Sequence, residues 1–496
     1  MRDPLNLRKA FQWTAIAITA MTLGVYAERY HLFNDGLTQA SPHPAASSDS
    51  YSFFDTLVDI RSQILRNYVE KVDDKKLLNG AINGMMSELD QYSNYFTKEE
   101  LDAFDRTVHG QFSGIGAELS EDPKTGQLIV VSPLEDSPAL KAGILAGDRI
   151  LKINGESMTG LSLKDLVTKI AGVSGTQVKL TVLHEGEKTP VDISVNRAVV
   201  QVHSVKGVRH TDGDGQWDFL IDPDHRIAYV RITNFMENTA EDLDNALLPL
   251  IQDQKAGSLK GIILDLRFNP GGLLIAGGDV ADRFLDSGVI VSTGRPDSTK
   301  RDFIREAVKE GTYPRIPLVV LVNEYSASAS EIVAGALKDH NRAVLIGTRT
   351  FGKGSVQTLI TLDNGNAALK LTTAYYYLPS GRNIMRKKTS KTWGVDPDPT
   401  FLIPLTETEN RDILRSRSES EIIRKNGHTP TTATAPATQP AKTADRQLQR
   451  ALDILVAHQT LSPDKDFITD VTTTRPSASA SLPSTQPTTK PEEAPR

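Results

Sequence analysis

Apolar residues recur with different periods along the chain, and each period predicts a secondary structure. In residues 51–108 they recur every three or four positions, as in YSFFDTLVDIRSQILRNYVEKV, which is typical of amphipathic helices. The segment DQYSNYF breaks this pattern before another short helix that starts at Lys98. Residues 51–108 are therefore predicted to form an N-terminal helical region.

From Gln111 the pattern changes to short strands and turns. FSGIGAELS and QLIVVSPL predict strands, and QVKLTVLHEG with KTPVDISV predicts a closing hairpin. Between them, LSLKDLVTKIAG has the spacing of an amphipathic helix. Together these elements predict a compact domain over residues 109–197, a length within the usual range for a domain.

Residues 198–400 alternate between strand-like and helix-like segments. IAYVRITNF, GIILDLRF and IPLVVLVN are apolar runs bounded by turn residues, as strands buried on both faces require. EDLDNALLPLIQDQ and LLIAGGDVADRFL lie between them and have helical spacing. The fold class predicted for the whole chain is therefore multidomain α/β, with a layered sheet covered by helices in this region.

Both ends of the chain differ from its globular middle. A basic start and the apolar run at residues 10–27 predict a secretory signal or membrane anchor over residues 1–27, with a buried helix as the alternative. We expect export to a periplasmic or other extracytoplasmic location, either after cleavage or with residues 10–27 as a membrane tether. Residues 28–50 have the composition of a linker. Residues 401–460 are predicted to form an extension with one helix, DRQLQRALDILVA, and the Thr/Pro-rich tail at 461–496 is predicted to be disordered.

Composition excludes several classes of function. The chain has 496 residues, enough for two or three domains, and no cysteine, which excludes thiol catalysis, disulfides and cysteine-bound zinc. With 56 basic and 62 acidic residues, the net charge of −6 argues against a nucleic-acid partner. The sequence has no H-E-x-x-H motif and no close histidine pair on one predicted helix, so no metal site is predicted, and no other cofactor is expected.

The first candidate for chemistry is SASASEIVAG, which follows a strand-like run and precedes a predicted helix. Its serines, Ser326, Ser328 and Ser330, are explained either by a helix N-cap or by a nucleophile on a turn. The letters alone decide nothing, because SASAS recurs in the C-terminal tail. A histidine base is not indicated: His340 lies at the far end of the same predicted helix, and no G-x-S-x-G elbow is present.

Lysine is the other candidate base. In TFGKGSVQTLITL, Lys353 lies between Gly352 and Gly354, whose missing side chains would let a reacting backbone approach the amine. On an extended chain Gln357 would share its face, and a neutral amide can hold an amine without raising its pKa. To be half-neutral near pH 7, the lysine pKa must fall by about 3.4 units, or about 4.6 kcal/mol, which only burial can supply. The alternative is a surface lysine in a glycine turn.

The third candidate is the turn in LRFNPGGLL, which follows the strand-like GIILDL and opens a helix. Backbone N–H groups at such a turn can stabilise an oxyanion. An ordinary strand-to-helix turn is the alternative.

LDLRFNPGGLL, VNEYSASASEIVAGAL, GTRTFGKGSVQ and TTAYYYLPSGRNI occur in this order at compact spacing. Over residues 51–400 the chain resembles the carboxyl-terminal processing peptidases, the tail-specific Ser–Lys proteases. The resemblance implies a crotonase-like α/β protease core. It also implies that Ser328 is the nucleophile, that Lys353 is its general base and that Gln357 orients the lysine. The oxyanion hole would use the backbone amides of Ala329 and of either Gly271 or Gly272.

Residues 109–197, with SPALKAGILAGDRILKING after the GIG turn, resemble a PDZ domain. Gly114, Ile115 and Gly116 would then bind a chain-terminal carboxylate through successive N–H groups, with the strand GAELS pairing to the peptide. An ordinary hairpin turn is the alternative. The N-terminal helices resemble those that relatives use to form homodimers.

We therefore expect an exported serine endopeptidase whose protein substrates have exposed apolar C-termini. Two alternatives remain open: a PDZ-bearing scaffold with an inactive core, and a crotonase-type enzyme that acts on acyl-CoA. The intact set of Ser328, Lys353 and Gln357 argues against the inactive scaffold. The PDZ-like domain argues against the acyl-CoA enzyme.

Overall fold

The computed structural model describes residues 49–122, 127–158, 161–211, 215–298, 300–423, 444–461, 463 and 466–468. The predicted signal or anchor, almost all of the predicted linker and most of the predicted tail lie outside these ranges. Within them, no helix combines the length and the apolar character that a bilayer crossing requires.

The N-terminal region is helical, but DQYSNYF does more than interrupt its helices. The region contains α1 (Asp49–Asn67), α2 (Asp74–Ser87), β1 (Asn94–Thr97) and α3 (Lys98–Val108). Thr97 caps α3, because Glu100 N donates to Thr97 Oγ1 while Thr97 N donates to Glu100 Oε2. Strand β1 pairs antiparallel with a strand near residue 370, a partner too distant in sequence for local periodicity to reveal.

Residues 109–201 form a strand-rich domain. Its strands are β2 (Gln111–Gly114), β3 (Ala117–Glu121), β4 (Leu128–Pro133), β5 (Arg149–Ile153), β6 (Glu156–Ser157), β7 (Gln177–Leu183), β8 (Val191–Asn196) and β9 (Ala198–Gln201), and its helices are α4 (Pro138–Lys141) and α5 (Leu163–Ile170). The main sheet has the order β3-β4-β5-β7-β8. One face of the sheet buries alternate residues such as Val178, Leu180 and Val182, as the period of two predicts. Strands β2 and β9 pair with each other where the chain enters and leaves the domain.

The α/β core follows, as the alternating pattern predicts. Its strands are β10 (Val205–Lys206), β11 (Arg209–His210), β12 (Trp217–Asp218), β13 (Leu220–Asp222), β14 (Ile227–Ile232), β15 (Gly261–Asp265), β16 (Val289–Gly294), β17 (Phe303–Glu306), β18 (Leu318–Val322), β19 (Val344–Gly347), β20 (Ser355–Leu362) and β21 (Ala367–Tyr377). Its helices are α6 (Thr239–Ile251), α7 (Leu274–Asp282) and α8 (Ala329–Asp339).

Strands β14, β15, β18 and β19 are parallel neighbours in this order. Every residue of the four strands is buried, because α6, α7 and α8 cover one face and the C-terminal part of the chain covers the other. This explains why their sequences are continuous apolar runs. The ends of β15 and β18 lead into the two turns that the sequence singles out.

A second sheet has the order β1-β21-β16-β17, with β20 also paired to β21. The N-terminal region therefore supplies one strand to a sheet whose other strands come from the core. Strand β20 carries Gln357 and β21 carries Tyr376, so this sheet forms one wall of the candidate site.

The C-terminal extension has two helices in its described part, α9 (Glu407–Ser420) and α10 (Arg446–Leu461), where the sequence predicts one. Helix α10 is the predicted helix, and it packs Ala451 and Leu455 against the parallel strands. Helix α9 lacks an apolar stripe and is held mainly by charges: Arg417 donates to Asp265 Oδ2 over 2.6 Å. Hydrophobic periodicity cannot detect a helix that is stabilised in this way.

Candidate active site

The three serines of SASAS lie in the turn between β18 and α8, and all three are fully buried. Ser326 Oγ donates to Leu266 O over 2.8 Å, and Ser330 Oγ donates to Asn269 O over 3.0 Å. Ser328 Oγ makes no hydrogen bond within the described residues. The outer serines therefore tie the turn to the end of β15, and the middle hydroxyl stays available for chemistry.

Ser328 also has a backbone conformation that is rare for a residue with a side chain. Its φ of 57° and ψ of −114° lie outside the regions that L-residues favour. Such strain persists only when the surroundings hold it in place, and it concentrates at functional sites.

The turn after β15 lies directly against this serine. Asn269 is fully buried and uses both ends of its side chain, because Nδ2 donates to Ile232 O and Oδ1 accepts from Gly271 N, each over 2.8 Å. Gly271 has a φ of +102°, and a Cβ built on it would lie 2.7 Å from the Cβ of Ser328. Only glycine fits here, because the two turns pack backbone against side chain.

Backbone N–H groups next to Ser328 are available as donors. Ala329 is the first residue of α8, and its N–H has no acceptor in the described part of the chain. The N–H of Gly271 is already bound by Asn269, whereas that of Gly272 has no acceptor among the described residues. In this conformation, the available pair is therefore Ala329 and Gly272.

Lys353 lies in the loop between β19 and β20 and is 3% exposed. The two flanking glycines allow another segment of the chain to pack closely against the lysine loop. A Cβ on Gly352 would lie 2.6 Å from the Trp393 ring, and one on Gly354 would lie 2.5 Å from Met385 N. From the sequence, that space is expected to admit a reacting backbone. In the structure, the segment at 384–393 fills it instead.

Glu331 joins the serine turn to the lysine loop. Its Oε2 accepts from Ser328 N and from Lys353 N, each over 2.8 Å, and its Oε1 accepts from Gly352 N and Thr350 Oγ1. Burial raises the pKa of Glu331, and these hydrogen bonds oppose the rise. A glutamate three residues after a serine predicts only a helix start, so this role is not apparent from the sequence.

The Lys353 amine lies in an environment that disfavours its charged form. The pKa of Lys353 is lowered to about 8, chiefly by burial and secondly by nearby Lys370, while Glu331 and Asp90 oppose the lowering. The direction and the cause are those that a lysine base requires. The amine also lies 4.9 Å from the ring centroid of Tyr92, a residue far from Lys353 in the sequence.

Gln357 is buried beside this loop, but it does not reach its position through a regular strand. Strand β20 starts only at Ser355, and its pairing with β21 shifts register between Val356 and Gln357. The alternation of side chains along a regular strand therefore does not extend from Lys353 to Gln357. The Gln357 amide nitrogen donates to Ser355 Oγ over 2.8 Å and to Thr372 Oγ1 over 3.2 Å. Its Oε1 is buried and accepts no hydrogen bond from the described residues.

Tyr376 is a further side chain that sequence reasoning does not identify. It is 1% exposed and its hydroxyl lies near Ser328: burial raises the pKa of Tyr376, and the Ser328 side chain opposes that rise. YYY in a strand carries no signal that distinguishes one tyrosine from the next. His340 lies at the end of α8, as predicted, and its ring Nε2 lies 2.8 Å from Val289 O. The histidine and carboxylate side chains of the described ranges form no group of three that could hold a metal ion.

The GIG segment of the strand-rich domain joins β2 to β3. Ile115 is buried and its carbonyl accepts from Ala139 N over 2.8 Å, and Gly116 has a φ of +75°. The N–H groups of Ile115 and Gly116 have no acceptor among the described residues. Strand β3 pairs with β4 on one edge, and in the described part of the domain its other edge carries no strand. Free N–H groups beside a free strand edge can bind the end of a peptide.

Comparison with known proteins places each of these regions in a family. Residues 22–100 match the N-terminal domain of the activating protease CtpB, residues 129–183 match a PDZ domain, and residues 226–401 match peptidase family S41. These matches follow the order of the N-terminal region, the strand-rich domain and the α/β core.

Curated relatives agree with these matches. The chain is 42% identical over 364 residues to a carboxy-terminal-processing protease of Bartonella bacilliformis, covering 73% of this chain and 78% of the relative. It is 37% identical over 388 residues to the carboxy-terminal processing protease CtpA of Bacillus subtilis, covering 78% of this chain and 76% of the relative. A solved photosystem II D1 C-terminal processing protease is 30% identical and aligns over 72% of this chain and 88% of that one, with a TM-score of 0.38.

Proposed function

The chain belongs to the carboxy-terminal-processing proteases of peptidase family S41, and from that premise we propose that it is an exported endopeptidase that cleaves proteins bearing exposed apolar C-termini. It is a serine-type peptidase with a PDZ domain. In the proposal, Ser328 is the nucleophile and Lys353 is the general base. The observation that carries it is the buried, unbonded hydroxyl of Ser328 in a turn that Glu331 joins to the loop of a buried lysine.

In the proposed reaction, the neutral Lys353 amine takes the proton from Ser328 Oγ as the oxygen attacks the peptide carbonyl carbon. The N–H groups of Ala329 and Gly272 stabilise the oxyanion that forms. The resulting ammonium then gives its proton to the leaving amine, and the peptide bond breaks. Water, activated by the same lysine, hydrolyses the acyl-Ser328 ester and regenerates the enzyme.

Gln357 has the role of orienting the base. Its buried Oε1 is free to accept a hydrogen bond from the Lys353 amine, while its amide nitrogen is held by Ser355 and Thr372. A carboxylate at this position would raise the lysine pKa, which is the wrong direction for a base near neutral pH, whereas an amide does not. The resemblance further implies a crotonase-like core, which stays an expectation.

Substrate recognition is assigned to the PDZ domain. The free N–H groups of Ile115 and Gly116 would bind the terminal carboxylate, with Gly114 as the end of the preceding strand. The peptide would add to the free edge of β3, beside α5, where Val167 is 43% exposed and Leu163 packs on the domain core. An apolar C-terminal residue fits such a surface.

The test uses the full chain and an unfolded substrate protein with a free or an amidated C-terminus, with products identified by mass spectrometry. Wild type should cleave the free form at internal peptide bonds and cleave the amidated form much more slowly. Ser328→Ala and Lys353→Ala should abolish cleavage without changing the circular dichroism spectrum. Persistent cleavage by Ser328→Ala would refute the nucleophile, and equal cleavage of both substrates would refute C-terminal recognition.

Export and self-association complete the proposal. Residues 1–27 would direct export, and N-terminal sequencing of the mature protein would distinguish a cleaved signal from a retained tether. A second copy of the chain would cover the apolar side chains that α1 and α2 leave more than a third exposed: Phe54, Leu57, Val58, Ile60, Leu65, Leu78 and Met85. A monomer in sedimentation equilibrium at micromolar concentration would refute the dimer.

A further inference from the structure

The turn at residues 90–93 places a tyrosine from the N-terminal region against the proposed general base. The Tyr92 ring centroid lies 4.9 Å from Lys353 Nζ, within the range of a cation–π contact. Tyr92 is itself half-buried, and Lys353 is 3% exposed. A residue outside the α/β core therefore forms part of the wall around the amine.

The position of Tyr92 is fixed from both sides. Before it, Asp90 Oδ1 accepts from Tyr92 N over 2.7 Å and from Ser93 N over 2.8 Å, which closes a tight turn. After it, Ser93 Oγ accepts from Thr372 N over 3.1 Å, and β1 continues as a paired neighbour of β21. Tyr92 is therefore held against the lysine loop by the pairing of β1 with the sheet of the core.

The same contacts extend to the residue proposed to orient the base. The backbone N–H of Thr372 donates to Ser93 Oγ, and Thr372 Oγ1 accepts from Gln357 Nε2 over 3.2 Å. The N-terminal turn and Gln357 thus share one residue of β21. A displacement of the turn would disturb both the cover of the amine and its orienting amide.

A second lysine lies in the same wall. Lys370 on β21 is opposite Asn94 of β1 and is 6% exposed, with its Nζ 5.5 Å from the Phe96 ring and 6.0 Å from the Phe104 ring. Burial lowers the pKa of Lys370, and Asp90 opposes this. Because β1 and α3 supply both rings, the N-terminal region also encloses this second amine.

The charged and titratable groups around Lys353 come from three elements: Lys370 of β21, Glu331 of α8, and Asp90 with Tyr92 of the N-terminal turn. Burial has the largest effect on the pKa of Lys353 and lowers it, and Lys370 acts in the same direction. The face of the Tyr92 ring attracts a cation and so favours the charged amine, but the ring also excludes water, which would stabilise that charge far better. The net effect of the ring is therefore to favour the neutral amine.

We propose that Tyr92 is a positioning residue of this protease, whose ring keeps the Lys353 amine out of water, and that Lys370 supports the neutral amine as a buried like charge. The inference rests on the proposed function, because it assigns these two residues a catalytic effect only through Lys353. It makes the N-terminal region a structural part of the active site.

The test compares Tyr92→Ala with Tyr92→Phe, which keeps the ring and removes only the hydroxyl. The acid limb of the kcat/KM profile should move up by about half a pH unit or more in Tyr92→Ala, with about a threefold loss of rate on that limb, and stay in place in Tyr92→Phe. The second pair is Lys370→Met, which removes the like charge among apolar rings, and Lys370→Arg, which keeps it. The limb should move up in Lys370→Met and not in Lys370→Arg, so a folding defect at position 92 leaves the proposal testable.

A readout without catalysis separates this inference from the proposed function. In a Ser328→Ala background, the rate of Lys353 acylation by acetic anhydride, followed by mass spectrometry across pH, measures the titration of the amine directly. An upward shift of that titration in Tyr92→Ala and Lys370→Met supports the inference, and unchanged titrations in both would overturn it. If the acylation titration shifts while the acid limb of active enzyme does not, the shielding stands and the general-base role of Lys353 is refuted.

Discussion

The backbone amides of Ser328 and Lys353 donate to the same carboxylate oxygen, Oε2 of Glu331, each over 2.8 Å. The two residues belong to different loops, one before α8 and one before β20. A single buried acceptor therefore sets the distance between the proposed nucleophile and the proposed base.

Glu331→Gln should impair both stability and activity. The substitution replaces one acceptor oxygen by an amide NH₂ group, which would face the N–H groups of Ser328 and Lys353 in one orientation and the N–H of Gly352 in the other. None of these N–H groups can accept a hydrogen bond from it. We expect a loss of about 2 kcal/mol in the free energy of unfolding and a large fall in kcat/KM. Urea unfolding and peptide hydrolysis measure the two effects, with exposed Glu310→Gln as the control. Wild-type behaviour of Glu331→Gln would mean that this carboxylate does not align the loops.

Activity should rise with pH through an acid limb near pH 8. Burial lowers the pKa of Lys353 to about 8, and only the unprotonated amine can accept the Ser328 proton. Below that pH, kcat/KM should fall tenfold per unit. The measurement is hydrolysis of a fluorogenic peptide at substrate concentrations well below KM. A limb near pH 6.5 would indicate a histidine base instead.

Lys353→Met should stabilise the protein while it abolishes activity. A buried lysine whose pKa is depressed binds its proton less tightly in the folded than in the unfolded state, so below pH 8 its charge destabilises the fold by up to about 3 kcal/mol. The gain from methionine should be full at pH 7 and should shrink between pH 8 and 10.5, because the unfolded lysine then also loses its proton. Urea unfolding at several pH values measures this dependence. Loss of stability at pH 7 would show that the amine makes compensating bonds in the folded state.

The strain at Ser328 should be measurable as a stability difference between two inactive variants. Ser328→Ala removes the hydroxyl but keeps a Cβ at φ 57°, whereas Ser328→Gly removes both. We expect the glycine variant to be more stable than the alanine variant by about 1 kcal/mol, since glycine adopts positive φ without steric cost. Thermal unfolding of the pair provides the comparison. Equal or lower stability of Ser328→Gly would exclude strain at this position.

Asp445→Asn should detach the C-terminal extension from the core. Asp445 Oδ1 and Oδ2 each accept from the Arg267 guanidinium over 2.8 Å, and Arg267 shares Asp265 with Arg417. Without the second carboxylate, two guanidinium groups face one buried acid, and we expect a loss of about 3 kcal/mol. Limited proteolysis should then cleave the extension faster. Asp453→Asn, on the exposed face of α10, is the control and should leave the proteolysis rate unchanged.

Local patterns in the sequence were sufficient to predict several elements of the fold. Mostly apolar runs predicted β14, β15 and β18, because a strand covered on both faces has no side that faces water. The alternation in QVKLTVL predicted β7, because only one face of that strand packs against the core. The motif order also indicated the candidate site residues, and the structure buries Ser328, Lys353 and Gln357 and packs the turn with Gly271 and Gly272 against Ser328.

Tertiary structure decided what those residues contact. The sequence could not distinguish Ser328 from Ser326 and Ser330 by environment, since only the packed turn shows that the outer hydroxyls are bonded and the middle one is not. The local pattern indicates only that DQYSNYF interrupts the helices, whereas the pairing of β1 with β21 brings Tyr92 to Lys353.

The physical reason is the range of the interactions. Periodicity and turn composition reflect contacts within a few residues, so they survive in the sequence as patterns that can be recognised. The burial of the Lys353 amine, the double acceptor at Glu331 and the cover by Tyr92 each join segments that are distant in sequence. Their energies exist only once the chain has packed, and no local pattern records them.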